Sequence, residues 1–270
     1  MTDAALPAEV RRARIAERVR EAGILRVVDA AALFGVSEVT VRADLAQLDA
    51  DGVVRRVHGA ALPAAAGPRE EPLERVSGRD AAVKRAIGRR AAALVDSGSS
   101  ILLDVGSTTL AVAHALVDRV DRGELDELVV VTNGLSIALA LETAVPRITV
   151  VLTGGTLRPL QHSLVDPGAS ESIAGLHVDL AILGCNGVDA SGRITNLNLA
   201  EAEVKRAMIA ASTAHVVVAD AGKLSERHLG TIGVADERTT LVTGGAWSDA
   251  ADEVAAALAA AGSRVIRVES

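Results

Sequence analysis

The sequence predicts an α/β protein of two domains. A small helical head ending in a two-stranded wing is followed by a doubly wound, mostly parallel α/β domain. Three observations carry that expectation. Seven short runs rich in Val, Ile and Leu ("SILLDV", "LVVVTN", "ITVVLTG", "VDLAILGCN", "HVVVAD", "TTLVTG", "RVIRV") alternate with stretches of helical length. That is the pattern of strands buried on both faces of a parallel sheet. The first sixty or so residues lack such runs and crowd three short helical patterns together. Between the two parts lies "LPAAAGPREEP", whose three prolines, glycine and charge run punctuate the chain rather than pack. The expected divisions are 7–62 for the head, 63–75 for a linker and 76–270 for the α/β domain.

At 270 residues and 49% apolar side chains, the chain is long enough for two packed cores. No apolar run approaches the ~20 residues needed to span a bilayer. The amino terminus, "MTDAALPAEVRRARIAERV", is charged throughout and lacks the apolar segment of a secretory signal. A single cysteine, Cys185, excludes an internal disulfide framework and a cysteine metal cluster, and the six histidines show no ligand spacing. A cytoplasmic protein with no membrane anchor, metal or cofactor is expected. The net charge of −7 argues against indiscriminate coating of nucleic acid. The charge is uneven, however: residues 1–62 carry nine arginines against nine acids, so the whole deficit lies beyond them. Phe34 and Trp247 are the sole aromatics, which leaves nothing to stack on single-stranded bases.

In chain order, residues 9–22 read as a helix closed by Gly23. "VDAAALFGVSEVTVRADLAQLDADG" follows as two helices with a tight turn at Gly35–Val36, Asp29 capping the first and Ser37 the second. Val41, Leu45 and Leu48 share one face and should dock on the other helices. The opposite face presents Val39 and Ala43 flanked by Thr40, Arg42 and Gln47. "GVVRRVHGAAL" then alternates like a two-stranded wing, placing Arg55, Arg56 and His58 near phosphates or a minor groove. A short helix, a glycine turn and a second helix with a polar outer face suit insertion into a major groove. A small helical interaction domain with a solvated arginine pair would share much of this pattern.

The head resembles the winged helix-turn-helix of the DeoR family of bacterial transcription regulators. The resemblance rests on Val36-Ser37, Thr40, Arg42, Asp44-Leu45, Leu48, Gly52 and Arg56-Val57-His58-Gly59. Ala43 stands where the family usually has a second arginine, and Ala60 where it has a second glycine. The implied partner is double-stranded operator DNA, met by Ser37, Thr40, Arg42 and Gln47 on the outer helix and by Arg55, Arg56 and His58 on the wing.

In the second domain, four turns bearing glycine or hydroxyl groups follow strand ends: "DVGSTT", "VTNG", "LTGGT" and "LGCNG". In an open parallel sheet, ligands bind beyond the carboxyl ends of the strands. The turn Gly106–Thr109 opens a helix, whose first N–H groups and hydroxyls suit a phosphate. Each turn alone reads as a tight structural turn; four at equivalent strand ends favour a small, polar, anionic ligand. Lys223, after Asp220, is a candidate cation or a solvated surface lysine. Glu201, Glu203, Lys205 and Arg206 are expected to pair along a helix or face solvent. Cys185 reads as a small buried hydrophobe, and Gln161-His162 precedes a Pro/Gly loop within reach of a ligand.

The DeoR resemblance continues through Lys84, "DVGSTT", Thr132-Asn133, Gly154-Gly155, Gly168, Gly184, Asn186-Gly187, Lys205, Met208, Asp220 and Lys223. It implies a sensor fold similar to ribose-5-phosphate isomerase. By that resemblance Ser107, Thr108 and Thr109 would meet a phosphate, while Asp104, Asn133 and Lys223 would meet hydroxyls or add charge, with Thr132 beside them. Gly106, Gly154 and Gly155 would let backbone approach the ligand; Gly222 replaces the family's usual serine. An aldose–ketose isomerase needs a positioned base, and the isomerase pattern has a carboxylate immediately before a lysine. Here Val204 precedes Lys205, and Glu203, one residue further back, is turned ~100° away. The expectation is therefore a regulator with no catalytic residue. It would repress a sugar-metabolism operon, be relieved by a phosphorylated sugar effector, and act as a homodimer or higher homo-oligomer. The alternative is a sugar-phosphate isomerase or deaminase carrying an accessory DNA-binding domain.

Overall fold

The structure, a computed structural model, describes residues 7–57, 59–63, 70–166 and 168–269, without the side chains of Arg55, Val57, Leu62 and Pro63. The chain divides into two compact units, Met1–Arg69 and Glu70–Ser270.

In the first unit, α1 (Ala8–Ala22) stops at Gly23, whose left-handed backbone (φ 73°) returns its N–H to Val19 O. After the short strand β1 (Leu25–Arg26) come α2 (Val27–Phe34) and α3 (Glu38–Ala50). Gly35 closes α2 at φ 63°, and the Ser37 side chain opens α3 by accepting the Thr40 N–H. Asp29 does not cap α2. The helix starts three residues earlier than such a cap would give, because Val27 is drawn into the core, and Asp29 lies in its first turn paired with Arg26 at 3.1 Å. Strands β2 (Val54–Val57) and β3 (Ala60–Pro63) form the antiparallel wing, and β1 adds a third strand against β3. Val41, Leu45 and Leu48 of α3 meet Ile15, Val19, Ala30 and Val54 in one core.

The second unit begins with α4 (Leu73–Gly78) and α5 (Ala81–Ala92), so α4 starts inside the stretch whose composition reads as linker. Leu73 is buried there. The succession continues as β4 (Ser100–Leu103), α6 (Ser107–Asp121), β5 (Leu128–Thr132), α7 (Leu135–Leu141), β6 (Ile148–Leu152) and the hairpin β7 (Thr156–Arg158) with β8 (Ser163–Val165). Then follow α8 (Gly168–Ala174), β9 (Val178–Gly184), β10 (Gly187–Val188), β11 (Arg193–Asn196), α9 (Leu199–Ala210) and β12 (Ser212–Asp220). Strands β13 (Gly230–Val234) and β14 (Thr239–Gly244), helix α10 (Asp249–Ala260) and β15 (Arg264–Val268) complete the unit.

The seven apolar runs of the sequence are seven parallel strands of one sheet, ordered β15-β14-β12-β9-β4-β5-β6. Their continuous hydrophobicity follows from helices on both faces. Ile101 and Leu103 of β4 pack with α5 and α6 residues Ile87, Val112 and Leu116, whereas Leu102 between them packs with Ile173, Val204 and Met208 of α8 and α9. From β4 the chain moves outward through β5 and β6, then returns to lay β9 on the other side of β4 before continuing through β12, β14 and β15. The order therefore reverses between β4 and β9. At such a switch point the loops leaving neighbouring strands diverge and open a crevice at the carboxyl ends.

Candidate functional site

The switch point is centred on Asp104, which directly follows β4 and is 0% exposed. Its Oδ2 accepts the Gly184 N–H at 2.9 Å, tying the end of β4 to the end of β9. The same oxygen accepts from Lys205 Nζ, and Lys205 also donates to Gly184 O at 3.0 Å. Lys205 is itself 3% exposed on α9. Burial works against its ammonium, but the neighbouring charges of Asp104 and Glu201 outweigh it and hold its pKa above the ordinary lysine value. Glu201, one turn earlier, accepts from Ser163 Oγ at 2.8 Å, from the Arg158 guanidinium and from Asn196 Nδ2. Arg158 reaches Glu70 with its other terminal nitrogen.

At this end of the sheet four buried polar atoms have no protein partner: Asp104 Oδ1, Thr108 Oγ1, Asn133 Oδ1 and Thr153 Oγ1. All four follow the carboxyl ends of adjacent strands β4, β5 and β6. Buried polar atoms are ordinarily paired. Asn133 Nδ2 donates to Leu164 O at 3.0 Å, which leaves its Oδ1 as the atom to be satisfied. Two acceptors and two hydroxyls at one sheet end match a ligand that offers both O–H donors and acceptor oxygens.

The other sequence-predicted residues divide into those near this set and those with internal tasks. Ser107 is half-buried and begins α6, next to Gly106 at φ 133°. Thr109 Oγ1 is occupied by Gly106 O at 2.9 Å, and Thr132 Oγ1 accepts the Gly134 N–H at 3.1 Å. Gly155, at φ 125°, is required by packing: a Cβ there would lie 2.3 Å from Val165 O, whereas the nearest atom to one at Gly154 is 3.7 Å away. Lys223 follows β12, half-buried, with Asp220 at 3.6 Å. Lys84 on α5 is buried and donates to Val76 O and, at 2.7 Å, to Arg79 O. Burial and then the charge of Lys223 lower its pKa. Cys185 is buried, its thiol pushed up to about 11 by burial. Gln161 and His162 contact Glu71 O and Glu74.

One expectation for α9 requires correction. Glu203 and Arg206 do pair on the surface, but Glu201 and Lys205 are buried. The carboxylate bonded to Lys205 is thus Asp104, with the charge of Glu201 nearby. A signal was available: Glu201, Val204, Lys205 and Met208 fall at i, i+3, i+4 and i+7, on the apolar face.

On the head, Arg42 and Gln47 are exposed on α3, Arg42 held by Glu38 at 2.6 Å and Gln47 by Asp51 at 3.0 Å. Ser37 and Thr40 sit together at the start of that helix, their hydroxyls 2.9 Å apart. Val39, 73% exposed, stands beside them. Behind this face Asp44 is buried and grips Arg11 of α1 at 2.6 and 3.3 Å. Arg56 is exposed on β2, and its N–H donates to Asp49 Oδ1 at 3.2 Å. Arg55 belongs to β2 with its side chain outside the description, and His58 lies outside the described residues.

Residues 11–64 match the DeoR-like helix-turn-helix domain, and residues 79–245 match the DeoR C-terminal sensor domain. The chain belongs to the DeoR family. The HTH-type transcriptional regulator GlpR of Haloferax volcanii is 33% identical to this DeoR-family chain, over 93% of the chain and 96% of GlpR. The glycerol-3-phosphate regulon repressor of Escherichia coli K12 is 30% identical, over 82% of the chain and 86% of the repressor. Ribose 5-phosphate isomerase A of Methanocaldococcus jannaschii superposes with a TM-score of 0.40 at 17% identity, covering 53% of this chain and 54% of the isomerase. Among the described residues of this DeoR protein, no helix is long and apolar enough to cross a membrane.

Proposed function

We propose that this DeoR-family protein represses a sugar-metabolism operon and is released when a phosphorylated sugar or polyol fills the crevice between β4 and β9. The observation that carries this reading is the set of unpartnered buried atoms at the switch point, Asp104 Oδ1, Thr108 Oγ1, Asn133 Oδ1 and Thr153 Oγ1. Asp104 and Asn133 accept from ligand hydroxyls. Thr108, Ser107 and the first N–H groups of α6 meet the phosphate, as a helix N-terminus favours. Gly106 and Gly154 leave room for backbone approach, Gly155 packs against Val165 O beside them, Thr109 and Thr132 brace the two turns, and Lys223 adds positive charge at the rim. Regulators of phosphorylated metabolites among the relatives support the same ligand class.

The outer face of α3 enters the major groove of operator DNA through Ser37, Thr40, Arg42 and Gln47, while Arg55, Arg56 and His58 of the wing meet the backbone. The protein works in the cytoplasm as a homodimer or larger homo-oligomer, on half-sites spaced by whole helical turns. Footprinting on its own promoter region, with and without a panel of phosphosugars, tests the reading. Protection that disappears with one phosphosugar is expected; no protection at low salt defeats it.

The buried Asp104–Lys205 pair favours one second reading, a sugar-phosphate isomerase carrying a DNA-binding head. An NMR time course on pentose and hexose phosphates separates the two. Unchanged substrate is expected, and turnover at ~1 s⁻¹ or faster would select the enzyme.

A further inference from the structure

We propose that the β7–β8 hairpin relays occupancy of the crevice to Glu70–Glu74, where the chain coming from the head joins the sensor unit. The proposal rests on the reading that the crevice controls the head, and it names the element that carries the control. The hairpin has bonds on three sides. Toward the crevice it holds Asn133, whose backbone O accepts the Leu164 N–H at 2.7 Å and whose Nδ2 donates to Leu164 O at 3.0 Å. The Leu135 N–H donates to His162 O at 2.9 Å beside them. Asn133 therefore faces a ligand with its one unsatisfied atom and grips the hairpin with the rest. Toward α9, Ser163 and Arg158 both hold Glu201, one turn from the Lys205 that braces Asp104.

Toward the incoming chain, each residue from Arg158 to His162 except Pro159 makes a contact. Arg158 binds Glu70, Gln161 Nε2 donates to Glu71 O at 2.6 Å, the Leu73 N–H donates to Leu160 O at 2.9 Å, and His162 Nε2 lies 3.1 Å from Glu74. Arg158 is the hinge of this arrangement: one guanidinium joins a carboxylate of α9 to a carboxylate of the incoming segment. Two like charges held by one cation cannot shift independently, since losing Arg158 would leave both repelling in a desolvated place. Burial and the proximity of Glu201 already raise the Glu70 carboxyl above the usual carboxylate range. A ligand that moves Asn133 or α9 thus displaces the anchor of the segment leading to the DNA-binding unit. Such a two-sided element is what coupling between separate sites requires.

Hydrogen exchange on the full-length protein tests the relay without effector or DNA. Ser163→Ala and Glu201→Gln alter the hairpin's grip on α9 at positions with no bond to residues 70–74. Exchange of the 70–74 amides, Leu73 above all, is expected to accelerate by about tenfold, the scale of one lost hydrogen bond, with α3 and β4 unchanged. If either variant fails to fold, the other gives the reading. Unaltered exchange at 70–74 in a folded variant overturns the relay. Arg158→Gln provides the functional counterpart: operator binding and phosphosugar binding persist, and release is lost. A negative exchange result condemns the relay alone, whereas a wild-type protein indifferent to every phosphosugar condemns the reading of the crevice.

Discussion

Asp104 divides its carboxylate between two duties: Oδ2 is bonded to Gly184 and Lys205, and Oδ1 has no protein partner. The division predicts opposite outcomes for two neighbouring substitutions. Lys205→Met removes the cation from a carboxylate that is wholly buried, and breaking such a pair costs roughly 3–5 kcal/mol. Urea unfolding should register a loss of that order, a large share of the ~5–15 kcal/mol that holds a typical domain together. Thr108→Val, by contrast, removes a buried hydroxyl that satisfies nothing inside the protein. It should leave the unfolding midpoint unchanged or raised, while weakening phosphosugar binding by about 1.5–3 kcal/mol, the value of a hydrogen bond to a charged group. Calorimetric titration checks the second half; equal affinity in wild type and variant would remove Thr108 from the site. On the head, Arg42 already has a partner in Glu38, with which the proposed DNA contact would have to compete. Arg42→Ala is expected to relax base preference at one position by ~1–3 kcal/mol. Arg56→Ala should weaken binding to every sequence and lower the salt slope by about one. Titrations on operator variants at several salt concentrations distinguish the two effects.

At the scale of elements, α5 and α6 approach closely at Gly88. A Cβ at Gly88 would lie 2.6 Å from the Ala111 backbone, so Gly88→Ala must push the helices apart. A loss of about 1–3 kcal/mol is expected from such overpacking, measured by thermal unfolding; a variant as stable as the parent would mean that the helices slide freely. The contrast between what was and was not readable in sequence also belongs to this scale. Each of the seven sheet strands was visible as a run rich in Val, Ile and Leu, most continuous in the central strands, which have helices on both faces. Helices α5, α6, α9 and α10 were visible because twelve or more residues establish a period. Strand β1, hairpin β7–β8 and helices α4, α7 and α8 were not, since two to seven residues cannot show one. Glycine and hydroxyl residues after strand ends singled out the carboxyl end of the sheet as the candidate site. Its ionic floor was hidden because Glu201 and Lys205 were assigned by charge, although their spacing placed them beside Val204 and Met208. Arg158 and Ser163 gave no signal at all, since their role depends on a hairpin folding back against the turn after β5.

For the molecule as a whole, stability should depend on pH through His215 of β12. The ring is buried, its Nε2 lies 2.7 Å from Thr239 Oγ1, and its Nδ1 has no partner. Burial lowers its pKa below the ordinary ~6.5, outweighing the pull of Asp236, while Arg238 acts in the same direction as burial. Protonation therefore favours the unfolded chain. The contribution is complete above about pH 6.5 and is lost as pH falls through the depressed folded value. Urea midpoints between pH 7 and 5 should fall more steeply for the wild type than for His215→Gln; parallel lines would show that the histidine is not responsible. The reversal of strand order between β4 and β9 has a consequence of another kind, in time. The head is complete once about sixty residues have left the ribosome. Asp104, however, waits for a partner that lies 101 positions further on, and domains generally fold in order of their synthesis. Stalled or truncated chains that end before α9 should therefore be heads without a working crevice, never the reverse. An error in the second half of translation would then yield a product deaf to the effector rather than one blind to DNA.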